Sequence, residues 1–175
     1  IGPTANDFSD LFILVDAVNS PASNYTANVE EVVDIEQWMR TFAVEHIVGN
    51  WDSYGYGNGQ NMFAYKPDEG RWQMMIWDVD VSLGNASDSA TTDLFKLTNP
   101  FFPTLNGDST IVGRMYQHPA FARAYWRAIR DAVDGPLLAS TANARLDARA
   151  AAFTANGVTA ASPDTIKTFL SNRRS

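Results

Sequence analysis

Four polar residues within WDSYGYGNGQNMFAYKPDEGRWQMMIWDVD, residues 51–80, are of the types that bind a hard metal ion or orient a hydroxyl group: Asp52, Asn61, Asp78 and Asp80. Carboxylate and amide oxygens are the ligands that Mg²⁺ and Ca²⁺ prefer. The competing interpretation is a surface hairpin that ends in solvated acids. An acid that directly follows a bulky apolar strand is costly to bury without a partner, and this favours a binding role for Asp78.

The elements around these residues predict a β-hairpin. Residues 60–66 and 71–78 are short apolar and aromatic runs on either side of the turn sequence KPDEG. Both faces of the second strand carry bulky apolar groups, so we expect the hairpin to be largely covered. Asn61 begins the first strand and Asp78 ends the second, so an antiparallel pairing would bring both side chains to the same end. Asp68 and Glu69, which lie on the turn at the other end, are therefore not candidate site residues.

Helical periodicity covers most of the remaining chain. VDIEQWMRTFAVEHIVG predicts a helix that Asp34 caps, with Gln37 completing a capping box and Gly49 ending it. An earlier helix, capped by Asn6 or Ser9, is followed by a polar link. Residues 84–113 read as a long loop with a helical turn at TDLFKL, and three helices finish the chain. The predicted fold class is α+β, mainly helical with one central β-hairpin, in a single domain.

Composition excludes several classes of function. The chain has 20 acidic and 13 basic residues, a net charge of −7, which disfavours nucleic-acid binding. It has no cysteine, so neither a disulfide framework nor a thiolate zinc site can form. Its longest apolar runs fall far short of a membrane span. It begins at Ile1, not at methionine, and enters a helical pattern almost at once, so we expect a piece of a longer protein.

The order of parts around the hairpin is that of a protein kinase. In kinases a loop Asp orients the acceptor hydroxyl, an Asn soon afterwards binds metal, and a hairpin delivers a second Asp to magnesium. Asp52 and Asn61 are nine residues apart here, and neither a His-Arg-Asp nor an Asp-Phe-Gly motif is present. The order of parts alone is therefore weak evidence for a kinase.

Three motifs in order make the likeness more specific. Asn50-Trp51-Asp52, then NMFAY at 61–65, then WDVD at 77–80 resemble the signature of the CotH kinase-like family, atypical kinases related to the spore-coat protein CotH. A looser resemblance runs from about residue 34 to the terminal TIKTFLSNRR. It implies the fold of the C-terminal lobe of an atypical protein kinase.

The resemblance also implies roles for the matching residues. Asp52 would orient the acceptor hydroxyl, and Asn61 would assist it or bind metal. Asp78 would be the main metal ligand, Asp80 a second ligand or an orienting neighbour, and Asn50 would fix the loop by hydrogen bonds. The implied cofactors are ATP and Mg²⁺, with Mn²⁺ or Ca²⁺ as alternatives; the nucleotide-binding residues stay unknown.

One departure from the kinase pattern limits the expected activity. A kinase also needs a glycine-rich phosphate loop and a strand lysine, normally before the catalytic loop. Before Asp52 the chain has no lysine, and Arg40 is its only basic residue. We therefore expect the C-terminal lobe alone, with the N-terminal lobe elsewhere in the same protein, and no phosphorylation by this piece in isolation. The expected substrate is a Ser or Thr of a surface or secreted protein, at a bacterial extracytoplasmic or cell-surface location.

Two other classes of function stay open. One is a non-catalytic cell-surface or extracellular interaction module with a structural divalent ion, and the other is a calcium-stabilised adhesion or carbohydrate-binding domain. DVDVSLG is not an EF-hand, because Leu83 and Ser89 stand where that loop needs glycine and glutamate, but an irregular calcium site remains. The tryptophans mostly occupy positions that the periodicity assigns to a core. His46, on the apolar stripe, is expected to be a core histidine, and GYGNGQ a flexible loop over the site.

Overall fold

The structure, a computed structural model, describes residues 7–56, 58–95 and 111–175. Within these ranges the chain is mainly helical and has one antiparallel hairpin, which confirms the predicted fold class. The elements are α1 (Ser9–Val18), α2 (Tyr25–Val32), α3 (Ile35–Val48), a 3-10 turn (Tyr54–Tyr56), β1 (Met62–Tyr65), β2 (Gln73–Ile76), α4 (Ile111–Gln117), α5 (Pro119–Asp134), α6 (Ala139–Ala155) and α7 (Asp164–Arg174).

Helix α3 lies at the centre of the core and begins and ends as predicted. The Asp34 carboxylate accepts a hydrogen bond of 3.1 Å from the Gln37 backbone N–H, and Gly49 ends the helix in the left-handed conformation at φ 73°. The apolar stripe of α3 is buried from Trp38 onward, and α3 packs mainly against α5. Its Phe42 lies 5.7 Å, ring to ring, from Tyr116 of α4. The loop that follows α3 therefore begins at a well-packed position.

The hairpin is attached to α3 through two side chains, Gln37 and Trp38, and Trp38 Nε1 donates to the Trp72 carbonyl at 2.9 Å, just before β2. Gln37 donates from Nε2 to the Met74 carbonyl at 2.6 Å and accepts from the Met74 N–H at 2.8 Å. The predicted capping box is thus only half present, because the Gln37 amide binds β2 instead of returning to Asp34. Met74 is buried against the core at 1% exposure. The pairing register is Met62 with Ile76 through Tyr65 with Gln73.

The expectation that the hairpin is largely covered is wrong. One face packs on α3 through Met74, but the opposite face is about half exposed and carries Phe63, Tyr65, Met75 and Trp77. Phe63 and Trp77 pack edge to face with ring centroids 5.1 Å apart. Bulky residues on both faces of a strand do not reveal which face the rest of the described chain covers.

Other expectations also need correction. The polar link after α1 contains a helix, α2, whose Tyr25 and Val29 are buried. Four helices, not three, lie between residue 111 and the end of the chain, because α4 begins inside the predicted loop. Trp38 is buried, whereas Trp77 and Trp126 are exposed, so the tryptophans are not mostly core residues.

Three predicted features cannot be compared with the structure, and the described helices can be checked for a membrane span. The predicted cap Asn6, the end of the predicted TDLFKL turn and residues 96–110 of the predicted loop lie outside the described residues. Among the helices that the structure describes, none combines the length and apolar character that crossing a membrane requires.

Candidate functional site

The loop that carries Asp52 leaves α3 through a tight turn. The Asn50 N–H donates to the Glu45 carbonyl at 2.9 Å, and the Trp51 N–H donates to the Gly49 carbonyl at 2.9 Å. The 3-10 turn Tyr54–Tyr56 follows directly. Asp52 is partly exposed between these two turns, so its backbone is fixed on both sides while its carboxylate can reach solvent.

Three side-chain amides converge on the Asp52 carboxylate. Asn61 Nδ2 donates to Asp52 Oδ2 at 2.9 Å and to the Asp52 carbonyl at 2.7 Å. Asn58 and Gln60 both donate to Asp52 Oδ1. The structure therefore brings Asp52 and Asn61 into direct contact.

Asn61 and Asp78 lie at the same end of the hairpin, as predicted. Met62 pairs with Ile76, so Asn61 stands immediately before the first pair and Asp78 shortly after it on the other strand. Both adopt positive φ, 55° for Asn61 and 53° for Asp78. Non-glycine residues pay a conformational cost in this region, and such strained residues cluster at functional sites.

Asp80 lies on the loop after the hairpin, and this loop is tied to the end of α3. The Leu83 N–H donates to the Val48 carbonyl and the Asp88 N–H to the Gly49 carbonyl, each at 2.8 Å. Trp51 Nε1 donates to the Ala86 carbonyl, also at 2.8 Å. The loop with Asp80 is therefore held against the loop with Asp52, although the Asp78 and Asp80 side chains are exposed.

Glu45, a buried acid beneath the Asp52 loop, was not among the residues predicted from the sequence. Glu45 is 1% exposed, and its Oε2 accepts from the Gly55 N–H at 3.0 Å. Burial raises the pKa of Glu45 to about 7, although the nearby Ser53 hydroxyl and the Gly55 N–H favour the ionised form. The available signal was an acid three residues after Phe42, on the apolar stripe of α3.

The Gly55 carbonyl is held on the other side by aromatic and imidazole groups. Tyr116 donates to it from its hydroxyl at 2.7 Å, and His46 Nε2 lies 3.1 Å away. His46 Nδ1 lies 2.7 Å from the Tyr125 hydroxyl, which also lies 3.1 Å from the Leu94 carbonyl, so both ring nitrogens have a hydrogen-bond partner. Burial lowers the pKa of His46 to about 3, so it is neutral. The prediction of a satisfied core histidine is confirmed.

A second buried acid, also missed, joins three parts of the chain. Asp88 is 4% exposed; its Oδ2 accepts from the Tyr56 hydroxyl at 3.1 Å and its Oδ1 from the Ser89 N–H at 2.7 Å. Burial and the Asp88 carboxylate raise the pKa of Tyr56, so its hydroxyl stays protonated, and Arg173 of α7 donates to the Thr92 carbonyl at 3.0 Å. Asp88 therefore anchors the loop after the hairpin to the 3-10 turn after Asp52.

The hydrogen bond that Asn50 makes at the start of the loop comes from its backbone N–H. Asn50 is fully buried, and among the described residues neither its Oδ1 nor its Nδ2 has a partner. The Glu45 carboxylate and the Ser53 hydroxyl are buried close to each other, and neither Glu45 Oε1 nor Ser53 Oγ has another partner in that part of the chain. Asn50 fixes the loop through its backbone N–H instead.

The donor set at the hairpin end fits a hard divalent ion. Mg²⁺ is usually held by one or two carboxylates together with substrate phosphates, and Asp78, Asp80 and Asn61 supply oxygens of the right type. Across the described ranges, the structure contains no group of three or more His, Cys, Asp or Glu residues arranged as a metal site. The ligands that remain would therefore come from phosphate and water.

Comparison with protein families decides the assignment. The family model described as CotH kinase protein matches residues 3–174, nearly the whole chain. The chain belongs to the CotH kinase family. Membership of the CotH family implies use of a nucleotide and a metal ion in general, and the family is associated with the spore coat. No curated protein sequence matches the chain at a significant score.

Proposed function

We propose that this chain supplies the acceptor and metal side of an atypical protein kinase, which transfers phosphate from ATP to a Ser or Thr hydroxyl of a surface or secreted protein. One arrangement supports the proposal most strongly. Asp52 is bound to Asn61, and Asn61 lies at the same hairpin end as Asp78, on strained backbone, in a chain of the CotH kinase family.

Asp52 would orient the acceptor hydroxyl and take its proton. The hydroxyl oxygen forms a bond to the γ-phosphorus as the bond to the β,γ-bridging oxygen breaks, and ADP leaves with that electron pair. Most of the catalysis in phosphoryl transfer comes from positioning and charge stabilisation. A carboxylate held by neutral amides on a backbone fixed on both sides suits this role.

Asp78 would hold the metal ion, with Asp80 as a second ligand or an orienting neighbour and Asn61 beside them. When bound, Mg²⁺ would neutralise the charge on the phosphates. The Asp78 and Asp80 carboxylates make no hydrogen bond or ion pair within the described residues, so an incoming ion would not have to displace a protein partner.

The rest of the kinase machinery would come from outside this chain. Before Asp52 there is no lysine to pair with the phosphates. We propose that an N-terminal lobe of the same protein provides it and that this chain alone does not phosphorylate a substrate. The exposed aromatic pair Phe63 and Trp77, close to Asn61 and Asp78, supports a covering partner on this side of the hairpin.

The test is phosphate transfer by the full-length protein that contains this chain. With Mg²⁺, γ-labelled ATP and a library of Ser- and Thr-containing peptides, we expect label in the peptides. Asp52→Asn should lower kcat by about 10² to 10⁴, the range for loss of a general base. Asp68→Asn, which changes an exposed acid on the turn of the same hairpin, is the matched control and should leave kcat unchanged.

A second candidate function follows from the missing phosphate-binding groups. A non-catalytic extracellular module would keep the fold and a structural divalent ion. If the full-length protein gives no transfer, and a divalent ion raises its Tm equally with and without ATP, the kinase proposal fails and the module is supported. Export of the protein to an extracytoplasmic or surface location is part of both proposals.

A further inference from the structure

The contacts of Asp52 differ between its two carboxylate oxygens. Oδ1 accepts from both Asn58 and Gln60, whereas Oδ2 accepts from Asn61 alone. Each carboxylate oxygen has two lone pairs directed toward donors. Within the described residues, Oδ1 is therefore fully occupied and Oδ2 has one position left.

We propose that Asn58 and Gln60 are positioning residues that reserve Asp52 Oδ2 for the acceptor hydroxyl, an inference that rests on the proposed kinase function. They act through Asp52 and touch neither the nucleotide nor the acceptor. By holding Oδ1 they fix the rotation of the carboxylate. The proton of the hydroxyl would then pass to Oδ2, beside Asn61.

The backbone between the two amides makes this convergence feasible. Gly59 separates them and adopts φ 71°, a conformation that side chains rarely take. A Cβ at Gly59 would meet nothing within 4 Å, so the glycine is required by its conformation and not by lack of space. The Asn58 N–H also donates to the Ser53 carbonyl at 3.3 Å, which ties this segment to the loop of Asp52.

Neutral amides suit the role better than cations would. A lysine or arginine at either position would also bind the carboxylate, but its positive charge would stabilise the ionised form against accepting a proton. Amide groups hold the orientation without adding a charge. Asn58 and Gln60 therefore fix the orientation of the Asp52 carboxylate without placing a positive charge beside it.

Kinetics of the full-length protein test the proposal. We expect Asn58→Ala and Gln60→Ala each to lower kcat about 10-fold with little change in KM for ATP, since misplacement of a reacting group lowers the rate and not nucleotide binding. Neither substitution should lower the rate further in an Asp52→Asn background, because both residues act through that carboxylate. Asn156→Ala, which removes an exposed amide at the end of α6, is the matched control.

A measurement on this chain that needs no activity complements the kinetics. The side-chain amide protons of Asn58 and Gln60 should shift upfield in the NMR spectrum of Asp52→Asn, because a neutral acceptor replaces the carboxylate. Unchanged amide signals, or unchanged kcat in both alanine variants of an active protein, overturn the positioning role alone. No transfer by the wild-type full-length protein overturns the proposed function instead, and the role with it.

Discussion

The two sides of the candidate site are held in different ways. The Asp52 side is held by the chain itself: three amides bind its carboxylate, and Glu45 and Tyr116 fix Gly55 just behind it. The side with Asp78 and Asp80 presents exposed carboxylates on a loop that is held through its backbone, through Asp88 and through Leu83, which packs against Phe169 of α7 and its neighbours. The comparison indicates that the Asp52 side, the proposed acceptor side, is pre-organised, whereas the proposed metal side at Asp78 and Asp80 would be completed by the ligand that binds there.

The largest loss of stability is expected at Gly55, where the proposed acceptor side is packed most tightly. A Cβ added to Gly55 would overlap Glu45 Oε2 and lie 3.1 Å from Phe42 Cδ1. We expect Gly55→Ala to lower the free energy of unfolding by about 3 kcal/mol, from overpacking and the displaced Glu45 hydrogen bond. Gly59→Ala, which meets no neighbour, should cost only about 1 kcal/mol in backbone strain. Urea unfolding measures both, and equal losses would contradict the tight packing at Gly55.

Glu45 makes the stability of the acceptor side depend on pH. Its pKa is raised from 4.5 to about 7 in the folded chain, so the folded state binds more protons than the unfolded state in that window. The contribution of Glu45 to the free energy of unfolding should therefore fall by about 3 kcal/mol as pH rises from about 4.5 to 7, and stay flat above.

Glu45→Gln isolates this contribution, because the amide keeps the acceptor for the Gly55 N–H and cannot ionise. We expect the variant to be the more stable protein at pH 8, and the difference to vanish near pH 4.5. The comparison of variants is needed because His46, buried neutral, changes stability in the opposite direction as pH rises from about 3 to 6.5. A difference that is constant with pH would contradict the burial of an ionising Glu45.

The hydrogen bonds of Gln37 between α3 and the hairpin are expected to contribute less to stability than the packing at Gly55. Gln37→Ala removes both hydrogen bonds to Met74 and should cost about 1 to 2 kcal/mol. The same substitution at Gln117, an exposed residue at the end of α4, is the control. Thermal or urea unfolding measures the stability of both variants, and only the Gln37 variant should be less stable than the wild type. Equal stability of the Gln37 variant and the wild type would show that the packing of Met74 and the hydrogen bonds of Trp72 hold the strand without Gln37.

The smallest change in stability is expected on the proposed metal side, in the loop with Asp80. Asn85 Nδ2 donates to the Asp80 carbonyl at 2.7 Å on an exposed loop. Asn85→Ala should change stability by less than about 0.5 kcal/mol, since exposed substitutions rarely do more. A larger loss, seen by urea unfolding, would show that the chain pre-organises this side as well.

The sequence predicted the parts of the site that depend on local patterns. Apolar periodicity, the Asp34 cap and Gly49 gave the bounds of α3, and the antiparallel pairing placed Asn61 and Asp78 at one end. The exposed face of the hairpin and the buried Glu45 depend on which elements pack together. Local periodicity carries no information on that packing, so these features could not be predicted.

Magnesium-dependent ATP binding by the full-length protein tests the division of the site most directly. Isothermal titration of the wild type, Asp52→Asn and Asp78→Asn should give binding in the first two and loss of the magnesium-dependent part in the third. That result would assign the metal to the hairpin end and show that Asp52 is not needed to bind it. Equal magnesium-dependent binding by Asp78→Asn and the wild type would contradict the account.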